Sequence, residues 1–270
     1  MSTAAPLHPV ELIARAGYGA RGLVYVLVGA FAGMAALELR SETAGAEDAL
    51  QAFVDWPLGS VWLGAIAAGL AGFVVWRLLQ AVLDADRRGS KPKDLLFRAG
   101  QAASALVYAA LAWSALQALD GVGDLREGEG GEAPASTVLA LPLGEWLLFA
   151  TAAATAVAAA GNLAKAASKR FGHELACGPD VRRWAVPVGR AGYAARGVIF
   201  AVLAFILAEI GLDLARADEG TVSAVLQELE RLPFGSALLL ATGVGLAGFG
   251  LFGLVEARWR RIRVPEEVRG

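Results

Sequence analysis

The 270-residue chain has one cysteine, Cys177, and two histidines, His8 and His173. A lone cysteine excludes an intramolecular disulfide, and these three side chains are too few to build a Cys/His metal site. Also missing are a phosphate-binding glycine loop with its lysine, an HExxH helix and a Ser/His/Asp set, so nucleotide hydrolysis, zinc proteolysis and serine hydrolysis have no recognisable machinery. Charge is scarce as well. Asp, Glu, Lys and Arg make up 19% of the residues, against about 25% in an ordinary soluble domain. The deficit is concentrated in 58–76, 99–119, 146–164 and 234–255, which carry no charge at all. Each is close to the roughly 20 apolar residues needed to cross a hydrocarbon core of about 30 Å. Two further stretches, 17–37 and 192–208, qualify if Arg21 and Arg196 are tolerated. A soluble helical bundle would show a polar stripe at helical spacing; these segments are apolar all round.

Absence continues inside the spans. Coupled transporters and proton pumps carry ionisable groups near the midplane. The central turns here hold only Ser114, Thr151, Thr155 and Thr242. No cofactor and no nucleic-acid partner is expected. The first apolar run begins after Arg15, is long enough to span and lacks a convincing cleavage site, so it is expected to stay as an uncleaved anchor.

What charge there is falls unevenly. The two termini, the links near 84–98 and 162–191, and the helix ends beside them hold 20 Lys/Arg and 9 Asp/Glu; the other three links hold 4 Lys/Arg and 17 Asp/Glu. Basic residues are retained on the cytoplasmic face. The expectation is therefore a multi-pass protein of the bacterial plasma (inner) membrane with both termini cytoplasmic.

The chain repeats itself. Arg15-Ala-Gly-Tyr-Gly-Ala-Arg21-Gly-Leu-Val-Tyr25 recurs as Arg190-Ala-Gly-Tyr-Ala-Ala-Arg196-Gly-Val-Ile-Phe200, with a weaker copy from Arg98 to Tyr108. About 43 residues after each first Arg stands Pro57-Leu-Gly59, Pro142-Leu-Gly144 or Pro233-Phe-Gly235, and Gly69-Leu-Ala-Gly72-Phe73 returns as Gly245-Leu-Ala-Gly248-Phe249. This defines three units: 1–90 with spans near 17–37 and 58–83, 91–175 with spans near 99–119 and 143–165, and 176–270 with spans near 192–212 and 234–257 and a basic cytoplasmic tail. Amphipathic pieces at 46–55, 136–141 and 222–232 are expected to lie along the outer interface. An even number of spans per unit places all three units in one orientation. The fold class is thus all-α, a polytopic membrane protein with six transmembrane helices as three tandem two-helix repeats in pseudo-threefold arrangement, and inverted repeats are excluded. Mitochondrial carriers share the three-by-two layout, but their Pro-x-Asp/Glu-x-x-Lys/Arg motif is missing and spans one, three and five contain no proline.

The Arg-x-Gly-Tyr-x-Ala-Arg-Gly start, the Pro-Leu/Phe-Gly hinge, the Gly-Leu-Ala-Gly-Phe run and the closing Glu256-Ala-Arg258-Trp-Arg-Arg261 resemble the bacterial membrane family catalogued as domain of unknown function 1206. The resemblance covers nearly the whole chain and implies the paired-helix architecture, with no activity attached. The second repeat departs from the pattern: Gln101 and Ser104 replace Tyr and Arg, and Gly161-Asn162 stand where the other even spans end differently.

Arg21 and Arg196 are the sharpest candidate residues. Each lies six residues beyond its repeat's first Arg, about 9 Å deeper along a helix, and an arginine within a span is costly. Three readings stay open: snorkelling to the cytoplasmic phosphates, pairing with a facing helix, or ligand contact. Gln80, Lys165 and Glu256 occupy equivalent positions on the even spans, and only Glu256 suits an arginine. Tyr18 and Tyr193, with Trp56, Trp62, Trp76, Trp146, Trp184 and Trp259, fit an interfacial aromatic belt. Gly29 and Gly33 on span one, and the glycines of span six, allow close helix approach. The tail from Arg258 to Arg263 reads as an anionic-lipid attractor or as a stop-transfer flank. The residues point away from an enzyme and toward a compact unit that packs with membrane lipids, other membrane proteins or itself. The alternative is a passive channel or permease for a small solute along the pseudo-threefold axis, with Arg21 and Arg196 at its cytoplasmic mouth.

Overall fold

The computed structural model describes residues 8–37, 50, 59–87, 89–120, 144–212 and 235–264. Its six long helices are α1 (Pro9–Ala36), α2 (Gly59–Val82), α3 (Pro92–Asp120), α4 (Gly144–Ala167), α5 (Pro179–Leu212) and α6 (Gly235–Trp259). All six are long and apolar enough to cross a membrane. Each even helix starts on the glycine of a Pro-x-Gly signature. Apart from Leu50, the amphipathic pieces at 46–55, 136–141 and 222–232 lie outside the described residues, as does Trp56.

The odd helices begin earlier than the apolar runs do: α1 at Pro9, α3 at Pro92 and α5 at Pro179. Hydropathy marks only the part that needs hydrocarbon, whereas the hydrogen-bonded helix continues through charged residues. The charged extension of α5 also contains Pro187, on the near side of the apolar run that begins at Gly192.

The helices form an arc in the order α3–α2–α1–α6–α5–α4, open between α3 and α4 among the described residues. α1 packs on α6 and α2, α2 on α3, α4 on α5, and α5 on α6. The first Arg of every repeat serves the seam to the preceding unit. Arg15 donates to the carbonyls of Ala257 and Arg258 at 2.8 Å and of Arg260 at 3.3 Å. Arg98 donates to those of Ala81 and Val82, and Arg190 to that of Ser168 at 2.8 Å. Carbonyls at a helix C-terminus lack intrahelical partners and carry the negative end of the dipole. Three arginines thus cap three even helices from the neighbouring repeat, which closes the chain's last helix onto its first.

Close approach in the α1–α6 seam depends on glycine. A Cβ on Gly22 would lie 2.7 Å from the Gly250 carbonyl oxygen, and one on Gly250 would lie 2.5 Å from that of Gly22. Gly29 and Gly33 both lie against Gly243 in the same seam, so the Gly29/Gly33 pair is used inside the chain. Toward the end away from the termini, a continuous apolar core fills the interior, with Val28 and Ala32 of α1, Leu63 of α2, Ala115 of α3, Ile210 of α5 and Leu239 of α6.

Candidate functional site

The end of the bundle that carries both termini is different: its interior is cationic. Arg21 is 1% exposed, and its Nη2 donates to Glu256 Oε2 at 2.7 Å. The guanidinium sits 5.0–5.1 Å from the ring centres of Tyr18, Phe73 and Phe249. The other carboxylate oxygen of Glu256 accepts from Arg260 Nη1 at 2.5 Å, and Arg260 also meets Glu174 at 2.5 Å. One buried carboxylate therefore holds two arginines.

Arg21 and Glu256 occupy the α1–α6 seam. The equivalent pair in the α4–α5 seam is Arg196 and Lys165, two cations, and in the α2–α3 seam it is Ser104 and Gln80. The like charges cannot pair, and each finds a neutral partner. Lys165 Nζ donates to the Tyr193 hydroxyl at 2.7 Å. Arg196 lies 4.8–5.2 Å from the ring centres of Tyr25, Phe200 and Phe249, and its buried Nε has no hydrogen-bond partner. The α2–α3 seam draws in a third cation. Arg77 stacks on Phe73 and donates to the side-chain oxygens of Gln80 and Gln101. Gln80 passes on a hydrogen bond to Asp86 at 2.9 Å. Arg77, Lys165 and Arg196 thus have no carboxylate within ion-pair distance among the described residues. Tyr108 Oη, buried beside Tyr25 and within electrostatic reach of Arg196 and Arg21, makes no well-aligned hydrogen bond.

Several expectations change. Arg21 does not snorkel; it turns inward and pairs, because Glu256 on the adjoining helix satisfies it at lower cost than a route to the headgroups. Arg196 is also directed inward, onto aromatic rings. Tyr18 and Tyr193 are 1% and 6% exposed and belong to the interior, not to an interfacial belt. Trp76 joins them, its Nε1 donating to Tyr18 Oη at 3.1 Å. An indole or phenol wants its polar tip satisfied, and a partner in the core serves as well as a headgroup. Trp62, Trp146 and Trp184 are exposed. The tail is not a free basic strip: Arg260 is 8% exposed, and the tail is stitched to the α4–α5 link by Ala176 N–H to Trp259 O at 2.7 Å and Arg261 N–H to Glu174 O at 2.9 Å.

Sequence reasoning passed over Arg77, noted Gln101 only as a departure from the repeat, and read Arg260 only as part of the basic tail. Arg77 lies inside the second span as drawn at 58–83, so the rule that singled out Arg21 and Arg196 applies to it equally. Among the described residues no three His, Cys, Asp or Glu side chains gather as metal ligands. The cluster offers cations and hydrogen-bond donors, and its one deeply buried carboxylate is occupied by two arginines. Such a site can hold an anion. Cation–π contacts contribute about 0.5–2 kcal/mol each, while removing a cation from water costs several kcal/mol even after relaxation. Aromatic rings alone do not offset three buried or half-buried cations, and an added negative group would.

Fold and site together define a multi-pass membrane protein, helical among the described residues, with a cationic interior at one end of a three-repeat bundle. The chain belongs to the family described as Domain of Unknown Function (DUF1206), whose sequence pattern matches residues 16–84, 99–169 and 191–260. It is 30% identical over 256 residues to a Bacillus subtilis (strain 168) protein described as "Uncharacterized protein YxxB", covering 94% of this chain and 92% of that one. No solved structure matches.

Proposed function

We propose that the protein is a non-enzymatic component of the bacterial inner membrane, with both termini cytoplasmic, that holds an anionic group among Arg77, Lys165 and Arg196. The excess of Lys/Arg at the end carrying the termini supports this orientation, and it puts the cationic cluster in the cytoplasmic half of the bilayer. One observation carries the reading: among the described residues, three inward-directed cations drawn from three helices have only amide, hydroxyl and aromatic partners. Membrane lipids are the partners always at hand, and packing with other membrane proteins or a second copy is compatible with the same site.

The test is anion-dependent stability in detergent. Inorganic phosphate at constant ionic strength should raise the melting temperature of the wild type, and Arg196→Gln should abolish the rise. An equal response in the two proteins would refute the reading. A passive channel along the axis is the second reading, favoured by the cationic vestibule at one mouth and opposed by the apolar packing that fills the other half. Anion flux through liposomes containing wild type, lost in Arg21→Gln/Arg196→Gln, would reverse the preference.

A further inference from the structure

The three repeats do not close their own helix pairs equally. In repeats one and three the two helices lock through matching contacts. A Cβ on Gly17 would meet the Phe73 backbone at 2.6 Å, and Gly192 faces Phe249 in the same way. Gly69 lies against Ala20, and Gly245 against Ala195. In repeat two the equivalent of Gly17 is Gly100, where an added Cβ would have nothing within 4 Å. The large side chains that fill this cleft elsewhere are also missing. Phe73 and Phe249 correspond to Ala158, and Trp76 and Phe252 correspond to Gly161, where an added Cβ again meets nothing within 4 Å. Among the described residues α3 and α4, the two ends of the arc, form no packed seam, while the helices of the other two repeats pack on each other.

The gap opens sideways. Gly100, Ala103 and Val107 on α3 and Ala154, Val157 and Gly161 on α4 are all exposed, and none carries a polar side chain. By repeat position Gly100 and Gly161 lie next to Gln101 and Asn162, at the level of the cationic cluster. Behind the gap stand Tyr108, 3% exposed, whose hydroxyl lies beside that of Tyr25 without a well-aligned hydrogen bond, and Arg196, whose buried Nε has no hydrogen-bond partner among the described residues. Arg77 and Lys165 flank them from α2 and α4. By contrast, the groove between α1 and α2, about 430 Å³ and lined by residues such as Ile13, Ala16, Trp62 and Gly69, ends on no charged group.

We infer that the α3–α4 gap is a lateral portal for an anionic glycerophospholipid of the adjoining leaflet, whose acyl chain lies between the two helices and whose phosphate meets Arg196, Lys165 and Arg77. This rests on the anion-binding reading above and names the anion. Charge complementarity selects the headgroup: a phosphodiester supplies the negative charge the three cations lack, and its oxygens accept from Nε, Nζ and Oη donors. The walls select the tail. They are apolar, small and open to hydrocarbon, a surface a water-borne phosphate gains nothing by crossing and an acyl chain fills at no desolvation cost.

The portal is tested by filling it. Gly100→Phe/Gly161→Trp restores bulk where the structure has open space and leaves all three cations in place. The wild type, this variant and Arg196→Gln are purified in mild detergent, and retention of phosphatidylglycerol against phosphatidylcholine is measured by native mass spectrometry. The wild type should favour phosphatidylglycerol at least tenfold. The filled variant should lose that preference at least tenfold yet keep its melting-temperature response to inorganic phosphate, and Arg196→Gln should lose both. Undiminished phosphatidylglycerol retention by the filled variant overturns the portal alone; a wild type indifferent to both phosphate and phosphatidylglycerol overturns the anion-binding reading beneath it. A second measurement uses the unaltered protein. Phosphatidylglycerol with a photoreactive group midway along its acyl chain should crosslink within 100–107 and 154–161. Crosslinks confined to other helices, or a second copy of the chain captured across 154–161 instead of lipid, overturn the portal.

Discussion

Replacing Glu256 by Gln probes the one ion pair that the whole interior leans on. Arg21 and Glu256 are 1% and 3% exposed at their side chains, and the same carboxylate also holds Arg260. Removing the negative charge leaves Arg21 in a water-poor interior without its counterion and Arg260 with Glu174 alone. Breaking a buried pair on one side costs about 3–5 kcal/mol. Gln keeps one carbonyl acceptor and nearly the same shape, so the lower end, about 3 kcal/mol, is expected. With roughly 2–4 °C per kcal/mol for chains of this size, the melting temperature in detergent should fall by about 6–12 °C, read from tryptophan fluorescence on heating. Adding Arg21→Gln to Glu256→Gln should recover part of the loss, because removing both partners leaves one uncompensated cation fewer. Glu174→Gln, at a carboxylate 53% exposed, is the control and should shift the midpoint little. A Glu256→Gln midpoint within 1 °C of wild type would refute the reasoning, as would a double variant less stable than both singles combined.

Other expectations use the same assay or a simple fusion. Gly250→Ala forces a methyl group to 2.5 Å from the Gly22 carbonyl oxygen and should cost about 1–3 kcal/mol by overpacking. Gly161→Ala, which meets open space, should be neutral or stabilising by up to about 1 kcal/mol through helix propensity; equal effects at the two sites would contradict the packing described. Arg15→Ala removes a cap from three carbonyls and should lower the melting temperature more than Arg190→Ala, which removes a cap from one. For orientation, green fluorescent protein fused after residue 270 should fluoresce, and alkaline phosphatase fused after residue 130 should be active; the reverse pattern would invert the proposed topology.

Much of this was legible in the sequence because membranes impose simple accounting. Four charge-free runs and two interrupted by one arginine each gave the six spans, the recurring Arg and Pro-x-Gly signatures gave the three repeats, and the absence of any other suitable anion near Arg21 and Arg196 singled out Glu256. What stayed hidden depends on where a side chain points. Tyr18 and Trp76 have the composition of belt residues, and only packing reveals that they satisfy each other in the core. Which arginine takes Glu256 is a question of seams: Arg21 shares one with it directly, and Arg196 faces Lys165 in another. Arg77 was visible but lay at the edge of an apolar run, where a charge looks like a boundary. The second repeat's departures at Gln101, Ser104, Gly161 and Asn162 could be read as letters. Their consequence, a cleft left unfilled between α3 and α4, needed the neighbouring helices in place.

The account turns on whether a negative group occupies the interior at the level of Arg196. A density map of the protein reconstituted in nanodiscs of phosphatidylglycerol and phosphatidylcholine, enlarged with a bound antibody fragment, examines this directly. It should show six spanning helices with a phosphate-sized feature within hydrogen-bonding distance of Arg196, Lys165 and Arg77, continuous with a chain between α3 and α4. A map with α3 and α4 in close contact, and the three cations satisfied by carboxylates of the chain itself, would contradict it.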